Sequence, residues 1–363
     1  MDTAVARDAH RSFAAAPDLI DGPSAWLGPD LATDPSAWLI SPDARDWQEL
    51  DDAVRRWADS GRALADITAG SFPLPRLSRR IARAREGLLR GVGFFLIRGF
   101  RLDRYSIMEA AIAYLGVGAQ LGSFRSQNAR GHLLGHVTDL GRDIADPGTR
   151  YYQTNRGLEF HTDSCDVVGL LCLRGARSGG ESRLVSSVTI YNRIRTTRPD
   201  LCEALFLPFP TDRRGEVPRG MDPWFEMPVF HWHQGLLTTI YVGQYIRSAQ
   251  ALFPQAPRLS DRQLEAIDLI DRIANDPAVS LSMDFQPGDM QFLHNHQLLH
   301  AREDFEDWPQ PERRRHLLRL WLAPEDARPL PPVFALRYGD LTAGARGGII
   351  TPDTLELTFA IEP

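Results

Sequence analysis

Apolar residues recur with a helical period in a few stretches of the chain. Around residues 78–89, Leu77, Ile81, Ala84 and Leu88 fall on one side and arginines on the other, which predicts an amphipathic helix. A second helix is predicted over residues 103–115. Residues 188–206 read as two helices broken at Pro199. Ser260-Asp261-Arg262-Gln263 is a capping box, and the helix it opens is predicted to turn Leu264, Ile267, Ile270 and Ile273 toward the core. Elsewhere the period is lost. Phe94-Phe95-Leu96-Ile97 and residues 167–173 are continuous apolar runs, suited to strands covered on both faces. The central part of the chain alternates strands with Gly and Pro turns, which predicts an all-β barrel framework carrying helical inserts.

The first 75 or so residues are rich in Pro, Ala and Asp. Within them Pro23-Ser24-Ala25-Trp26-Leu27 recurs as Pro35-Ser36-Ala37-Trp38-Leu39. Two copies of five residues fall short of a repeat fold. They are expected to pack two Trp side chains onto the body. A lid or a contact surface in a homo-oligomer is the other use open to Trp26 and Trp38.

The chemistry concentrates in residues 158–163, Leu-Glu-Phe-His-Thr-Asp. In a strand, His161 and Asp163 point the same way and can share one metal ion. With a distant His300 they make two imidazoles and one carboxylate, the facial set of a non-haem Fe(II) site whose other positions stay open. A bare His-x-Asp recurs by chance, so the second half of the pattern matters. From Arg315 onward Leu318, Leu320 and Leu322 alternate with Arg315, Leu317, Arg319 and Trp321, which places Arg315 and Arg319 on one face of a strand. A buried guanidinium beside a metal is costly unless it meets an anion, and its fork suits a carboxylate. Iron ligands plus a carboxylate-binding Arg form the constellation for 2-oxoglutarate.

These residues, with Ser178-Gly179-Gly180-Glu181-Ser182, Gln286-Pro287-Gly288-Asp289-Met290 and His294-Asn295-His296, resemble the taurine dioxygenase (TauD/TfdA) family of Fe(II)/2-oxoglutarate-dependent oxygenases. The resemblance runs from about Gly93 to Leu322. It implies a mainly β protein with helices (α+β), a double-stranded β-helix of the jelly-roll or cupin type with flanking and inserted helices. By position, His161, Asp163 and His300 correspond to the iron ligands. Ser182 stands where the family often has a Thr that hydrogen-bonds 2-oxoglutarate. Arg315 corresponds to the Arg on its distal carboxylate. Arg319 corresponds to an Arg that meets either the anionic substrate or that same carboxylate, and Asn295 to a residue supporting the ligands. Arg125, Asn155, Phe225, Tyr241 and Arg247 are candidates for the substrate side, with Trp224 and Tyr245 near them. The implied division is an N-terminal extension over 1–90, a catalytic domain over 91–325 with an insert at about 188–275, and a C-terminal extension over 326–363.

The implied reaction consumes O2 and 2-oxoglutarate, releases succinate and CO2, and oxidises an unactivated C–H bond of a small anionic or amino-acid-like metabolite. Halogenases of this type replace the carboxylate ligand by a small residue; Asp163 keeps it, which favours hydroxylation. Two other readings use the same fold. His294 and His296 could join His300 in a cupin-like all-His site, with His231 and His233 as another His-x-His pair, or the chain could be a non-catalytic small-molecule sensor.

Composition narrows the classes. With 363 residues, 43% hydrophobic and 24% charged, the chain can bury a large core. A formal charge of −6 gives no basic footprint for nucleic acid. No apolar run reaches the ~18 residues of a membrane span. The N-terminus has no apolar signal-peptide core, and Cys165, Cys172 and Cys202 make no disulfide framework, so a reducing cytoplasm is expected. All 41 basic residues are Arg. The absence of Lys excludes a pyridoxal-phosphate Schiff base and a P-loop. Neither Gly-x-Gly-x-x-Gly nor Gly-x-Ser-x-Gly occurs in a dinucleotide or hydrolase context.

Overall fold

The computed structural model describes residues 3–144, 149–351, 354 and 356–362. Two sheets face each other, antiparallel throughout except that Leu39–Ile40 pairs parallel with Phe94–Ile97. In the larger one the order is Leu39–Ile40, Phe94–Ile97, Met290–His294, Val167–Arg174, His316–Ala323 and Ser123–Phe124, with Leu134–Thr138 also pairing with His316–Ala323. In the smaller one the order is Leu281–Met283, Ser182–Ser186, Leu298–Arg302 and Leu158–His161. Val168, Leu293 and Trp321 from the first meet Leu184, Leu281 and Leu298 from the second in one buried cluster.

The continuous apolar runs exist because both faces of the large sheet are covered. Phe95, Leu171, Phe292, Leu318, Leu320 and Leu322 pack outward against the helices Ala44–Ser60, Leu77–Arg90 and Ile107–Ala119. The contact is close at Gly169, where a Cβ would lie 2.7 Å from the Tyr114 hydroxyl and 2.8 Å from the Phe292 ring. The predicted helix over 103–115 begins later, at Ile107. Ser106 caps it reciprocally with Glu109, while Leu102–Arg104 form a separate 3-10 turn.

The outer face of the small sheet is covered by the insert. Phe160, Val185 and Leu299 pack against the helices Ser187–Thr197, Pro199–Leu205 and Asp261–Asn275. Ser260 and Gln263 form the expected capping box. Leu264 departs from expectation and is 41% exposed. The buried stripe is set by Gln263, Ala266, Ile267, Ile270 and Ala274, and Leu264 falls beside it. Two hairpins, Pro208–Asp212 with Trp224–Pro228 and Phe230–His233 with Leu236–Thr239, complete the insert.

Trp26 and Trp38 pack on the body, their rings 6.0 and 5.5 Å from that of Phe94. Trp26 Nε1 donates to the Val92 carbonyl at 2.8 Å. Such aromatic pairs add about 0.5–1.5 kcal/mol each beyond the area they bury.

Candidate active site

His161 ends the strand Leu158–His161, and its register partner on the antiparallel strand Leu298–Arg302 is His300. This pairing, not proximity in sequence, brings the two imidazoles together. Asp163 lies beyond the strand end, so its direction needs other support. The Thr162 N–H donates to the Tyr241 carbonyl at 2.7 Å, and the Tyr241 N–H donates to Thr162 Oγ1 at 2.9 Å. The Asp163 N–H donates to Asn295 Oδ1 at 2.7 Å. Asn295 Nδ2 donates back to the carbonyls of Asp163 at 2.7 Å and Cys165 at 2.8 Å. Asn295 is fully buried and fixes the turn that aims the carboxylate.

Ligand-capable atoms of His161, Asp163 and His300 all lie within 4.8 Å of one another. Asp163 Oδ1 is 3.8 Å from His161 Nε2, and Oδ2 is 3.9 Å from His300 Nε2. His161 Nδ1 is 2.8 Å from the Glu159 carbonyl, which orients a protonated Nδ1 outward and leaves the Nε2 lone pair for the centre. Burial holds both imidazoles below their usual range, His300 down to about 3, so both are neutral near pH 7. Burial pushes the Asp163 carboxyl up, but Arg319, His300, His161 and Trp321 outweigh it and keep the group ionised. Two neutral imidazoles and a carboxylate converging on one point fit a divalent cation of the Fe(II) type.

A small cavity adjoins His300. Ser182, Arg302, Arg315 and Arg319 line it, with Leu170, Phe285 and Leu317 among the apolar walls. No described residue lining it is acidic. Arg315 is 4% exposed, and its Nη1 has no partner among the described residues. Its main-chain N–H is tied to Asp307 Oδ1 at 2.7 Å. Gly180, at φ +78°, lets the side chain in: a Cβ there would stand 3.0 Å from Arg315 Nε and 3.2 Å from Phe305 Cβ. Arg302 is equally buried. Its Nη2 donates to the carbonyls of Thr154 and Arg156, whereas Nε and Nη1 have no partner among the described residues. Both guanidinia lie against the Phe305 ring, at 4.8 and 5.2 Å. Burial lowers both, Arg302 to about 9. Two buried cations with spare donors and no carboxylate in the cavity make an anion site. Arg302 was not singled out in the sequence, although it stands two residues from His300 on the same strand.

A larger cavity opens beside His161, Asp163 and Trp321, walled by the insert and the C-terminal segment. Phe225, Tyr241 and Tyr245 line it. The Tyr241 hydroxyl itself donates to Asp271 Oδ1 at 2.7 Å. Arg319 lines both cavities, donating from Nε to Gln127 Oε1 at 2.7 Å and from Nη1 to Asp163 Oδ2 at 3.3 Å. Trp321 Nε1 donates to the same Asp163 oxygen at 2.9 Å.

Three expected substrate residues are placed elsewhere. Arg247 is held on the insert by Asp268 and Asp271, each at 2.8 Å. Arg125 donates from Nε to the Gly347 carbonyl at 3.2 Å. The Asn155 carbonyl accepts from the Phe305 N–H at 3.2 Å. None of them lines either cavity. Asn295 sits beneath Asp163, on its main chain.

The His-x-His pairs are also engaged away from the centre. His294 Nε2 accepts from Arg328 Nε at 3.0 Å. His296 Nε2 is 3.3 Å from Asp166, which Arg346 grips at 2.7 Å. His231 Nε2 is 2.9 Å from the Pro228 carbonyl. Among the described residues, the metal-capable group is His161, Asp163 and His300.

The jelly-roll core and this site define an Fe(II)- and 2-oxoglutarate-dependent oxygenase. The family model for the taurine catabolism dioxygenase TauD, TfdA family matches residues 60–321, and the chain belongs to that family. It is 30% identical to FR-33289 synthase of Streptomyces rubellomurinus over 306 residues, 82% of this chain and 88% of that one. It is 31% identical to a taurine hydroxylase-like protein of Stachybotrys chartarum over 340 residues, 90% of this chain and 85% of the other. Among solved structures, an asparagine oxygenase in complex with Fe(II), 2S,3S-3-hydroxyasparagine and succinate shares the fold. Its TM-score is 0.60 at 16% identity, covering 78% of this chain and 93% of that one. Among the described residues, no helix is long and apolar enough to cross a membrane.

Proposed function

We propose that His161, Asp163 and His300 hold the iron, and that the small cavity takes 2-oxoglutarate with its distal carboxylate on Arg315, Arg302 and Ser182. The observation that carries this is the pair of buried guanidinia with unused donors, set beside His300 in a cavity without a carboxylate. Held there, Fe(II) would supply, with O2 and 2-oxoglutarate, the oxidising power for a C–H bond, the 2-oxoglutarate being converted to succinate and CO2.

The chain's residues do the rest. Asn295 and the Thr162–Tyr241 clamp aim Asp163. Trp321 and Arg319 load its Oδ2, leaving Oδ1 for the metal. Arg319, between the cavities, orients this carboxylate and faces both small molecules. Phe225, Tyr241, Tyr245 and Trp321 give the larger cavity an aromatic wall beside its charged groups. The substrate is a small anionic or amino-acid-like metabolite; the kept carboxylate ligand favours hydroxylation over halogenation, and desaturation, cyclisation and epoxidation use the same ligands. Relatives support that range: one is taurine hydroxylase-like, and one structure of the same fold holds a hydroxylated asparagine. The reaction belongs to small-molecule metabolism in the cytoplasm. Residues 91–325 carry the catalysis, and the C-terminal extension walls the larger cavity through Arg337 and Ile349.

The test is anaerobic addition of Fe(II) and then 2-oxoglutarate to the metal-free protein. A weak visible charge-transfer band is expected, lost in Arg315→Ala. Iron bound without a band would move the assignment to a cupin-type enzyme, and no iron binding would favour a sensor.

A further inference from the structure

Three more arginines reach the larger cavity, each from a different part of the chain. Arg213 follows the strand Pro208–Asp212, Arg150 precedes the turn Tyr151–Gln153, and Arg337 lies on the short helix Ala335–Tyr338. Arg213 is 6% exposed. Its Nη2 donates to the Leu336 carbonyl at 3.2 Å, while Nε and Nη1 are buried with no partner among the described residues. Arg150 Nη2 donates to the Arg214 carbonyl at 2.7 Å, and Nη1 has no such partner. Arg337 Nη2 donates to Ser164 Oγ at 2.6 Å. The guanidinia of Arg213 and Arg337 lie 5.1 and 5.4 Å from the Phe225 ring, so the two like charges share one aromatic wall.

Their counter-charge is incomplete. Glu216 is 3.5 Å from Arg150. The other carboxylates on the lining are committed or turned away. Asp163 pairs with Arg319, Asp212 lies 3.8 Å from Arg214 Nη1, and Glu159 is exposed. Within the lining, three cations face one anion, and Asp222 acts on Arg213 from outside it, so the subsite keeps a surplus of positive charge. Burial, with Arg337 beside it, pushes the Arg213 guanidinium down to about 10, which records the cost of the arrangement. Unpaired donors on buried cations are expensive to keep unless a ligand meets them.

We propose that Arg150, Arg213 and Arg337 form the substrate's anchoring subsite, and that it takes a doubly charged phosphoryl group, a phosphonate or a phosphate monoester. A dianion offsets more of that surplus than a monoanion does, and its three terminal oxygens match three guanidinium forks. A carboxylate or a sulfonate carries a single charge and leaves more of the surplus uncompensated. The inference rests on the oxygenase reading, because it takes this cavity as the substrate side of His161, Asp163 and His300.

The experiment titrates methylphosphonate, methyl phosphate, methanesulfonate and acetate into the anaerobic protein loaded with Fe(II) and saturating 2-oxoglutarate. Calorimetry follows the anion, and the charge-transfer band is recorded in parallel. Both phosphoryl probes are expected to bind at least tenfold more tightly than the sulfonate and the acetate. The tighter of the two distinguishes a C–P from an ester substrate. Arg213→Gln and, separately, Arg337→Gln should each weaken phosphoryl binding at least tenfold and leave the band in place. Equal binding of all four anions, or phosphoryl binding unchanged in both variants, overturns the subsite. A missing band in the unsubstituted protein instead overturns the oxygenase reading, while the anion titration still reports on the arginines.

Discussion

His300 stands directly opposite His161 in the antiparallel pairing of Leu298–Arg302 with Leu158–His161, their rings 4.2 Å apart, so two strands remote in sequence present one pair of imidazoles. Asp163 supplies the charge that makes the pair a cation site. Asp163→Ala is expected to weaken Fe(II) binding by about 100-fold or more, a larger loss than removal of a supporting residue causes. Metal content after desalting, with folding checked by circular dichroism, measures it. Retention of stoichiometric iron in this variant would refute the triad and revive a site built on His294, His296 and His300.

Asn295 never reaches the metal position, yet the three hydrogen bonds it makes, one accepted and two donated, define the Asp163 turn. Asn295→Ala leaves one buried N–H and two buried carbonyls without this partner. At about 1–3 kcal/mol for an unsatisfied group, partly relieved by relaxation, the variant should lose about 2–4 kcal/mol of stability. It should also bind Fe(II) about 10–100-fold more weakly. Urea denaturation and an anaerobic Fe(II) titration give the two numbers. Normal iron affinity in a destabilised variant would make Asn295 a packing residue only.

Arg302 and Arg315 share Phe305 and point unused donors into the same cavity. With charge-assisted hydrogen bonds at about 1.5–3 kcal/mol, Arg302→Met should raise the 2-oxoglutarate concentration for half-formation of the charge-transfer band about 10–100-fold. The same change removes a buried, under-satisfied cation, so the ligand-free variant should melt at or above the temperature of the unsubstituted protein. Unchanged 2-oxoglutarate affinity would remove Arg302 from the co-substrate site.

What could be read in the sequence follows from periodicity. The alternation that places Leu317, Arg319 and Trp321 on one face is a property of any strand, and the strand His316–Ala323 carries it; Arg315 stands one residue before that strand yet lines the same cavity as Leu317 and Arg319. Arg302 was within reach of the same argument, since it is separated by one residue from His300. Asp163 was aimed correctly for an incomplete reason, because the strand stops at His161 and Asn295 sets the turn. Helix Ile107–Ala119 starts where Ser106 and Glu109 cap each other, a local signal that apolar content obscured. The convergence of Arg150, Arg213 and Arg337 was not legible. They lie on a loop, a hairpin and a C-terminal helix, and only tertiary packing brings them together. Arg247 carried the same apparent promise, but its partners are Asp268 and Asp271 on the next helix.

His231 gives the fold an acid limit that does not involve the metal ligands. Burial holds its imidazole down to about 3, whereas in the unfolded chain it titrates near 6.5. Its Nε2 lies 2.9 Å from the Pro228 carbonyl, and its ring is 4.9 Å from that of Phe334. Between these two pKa values the unfolded state binds a proton that the folded state does not. The contribution of neutral His231 is therefore intact above about pH 6.5 and is lost as pH falls toward 3, by up to about 1.4 kcal/mol per pH unit. His316, also held down to about 3 by burial, His136 and Arg174, acts with the same sign. Urea midpoints measured from pH 7.5 to 4.5 should fall steadily below 6.5. His231→Gln, which cannot take up the proton, should cost stability at pH 7.5 and flatten the slope below pH 6.5. A slope unchanged by that substitution would show that His231 is already protonated in the folded protein or is not buried.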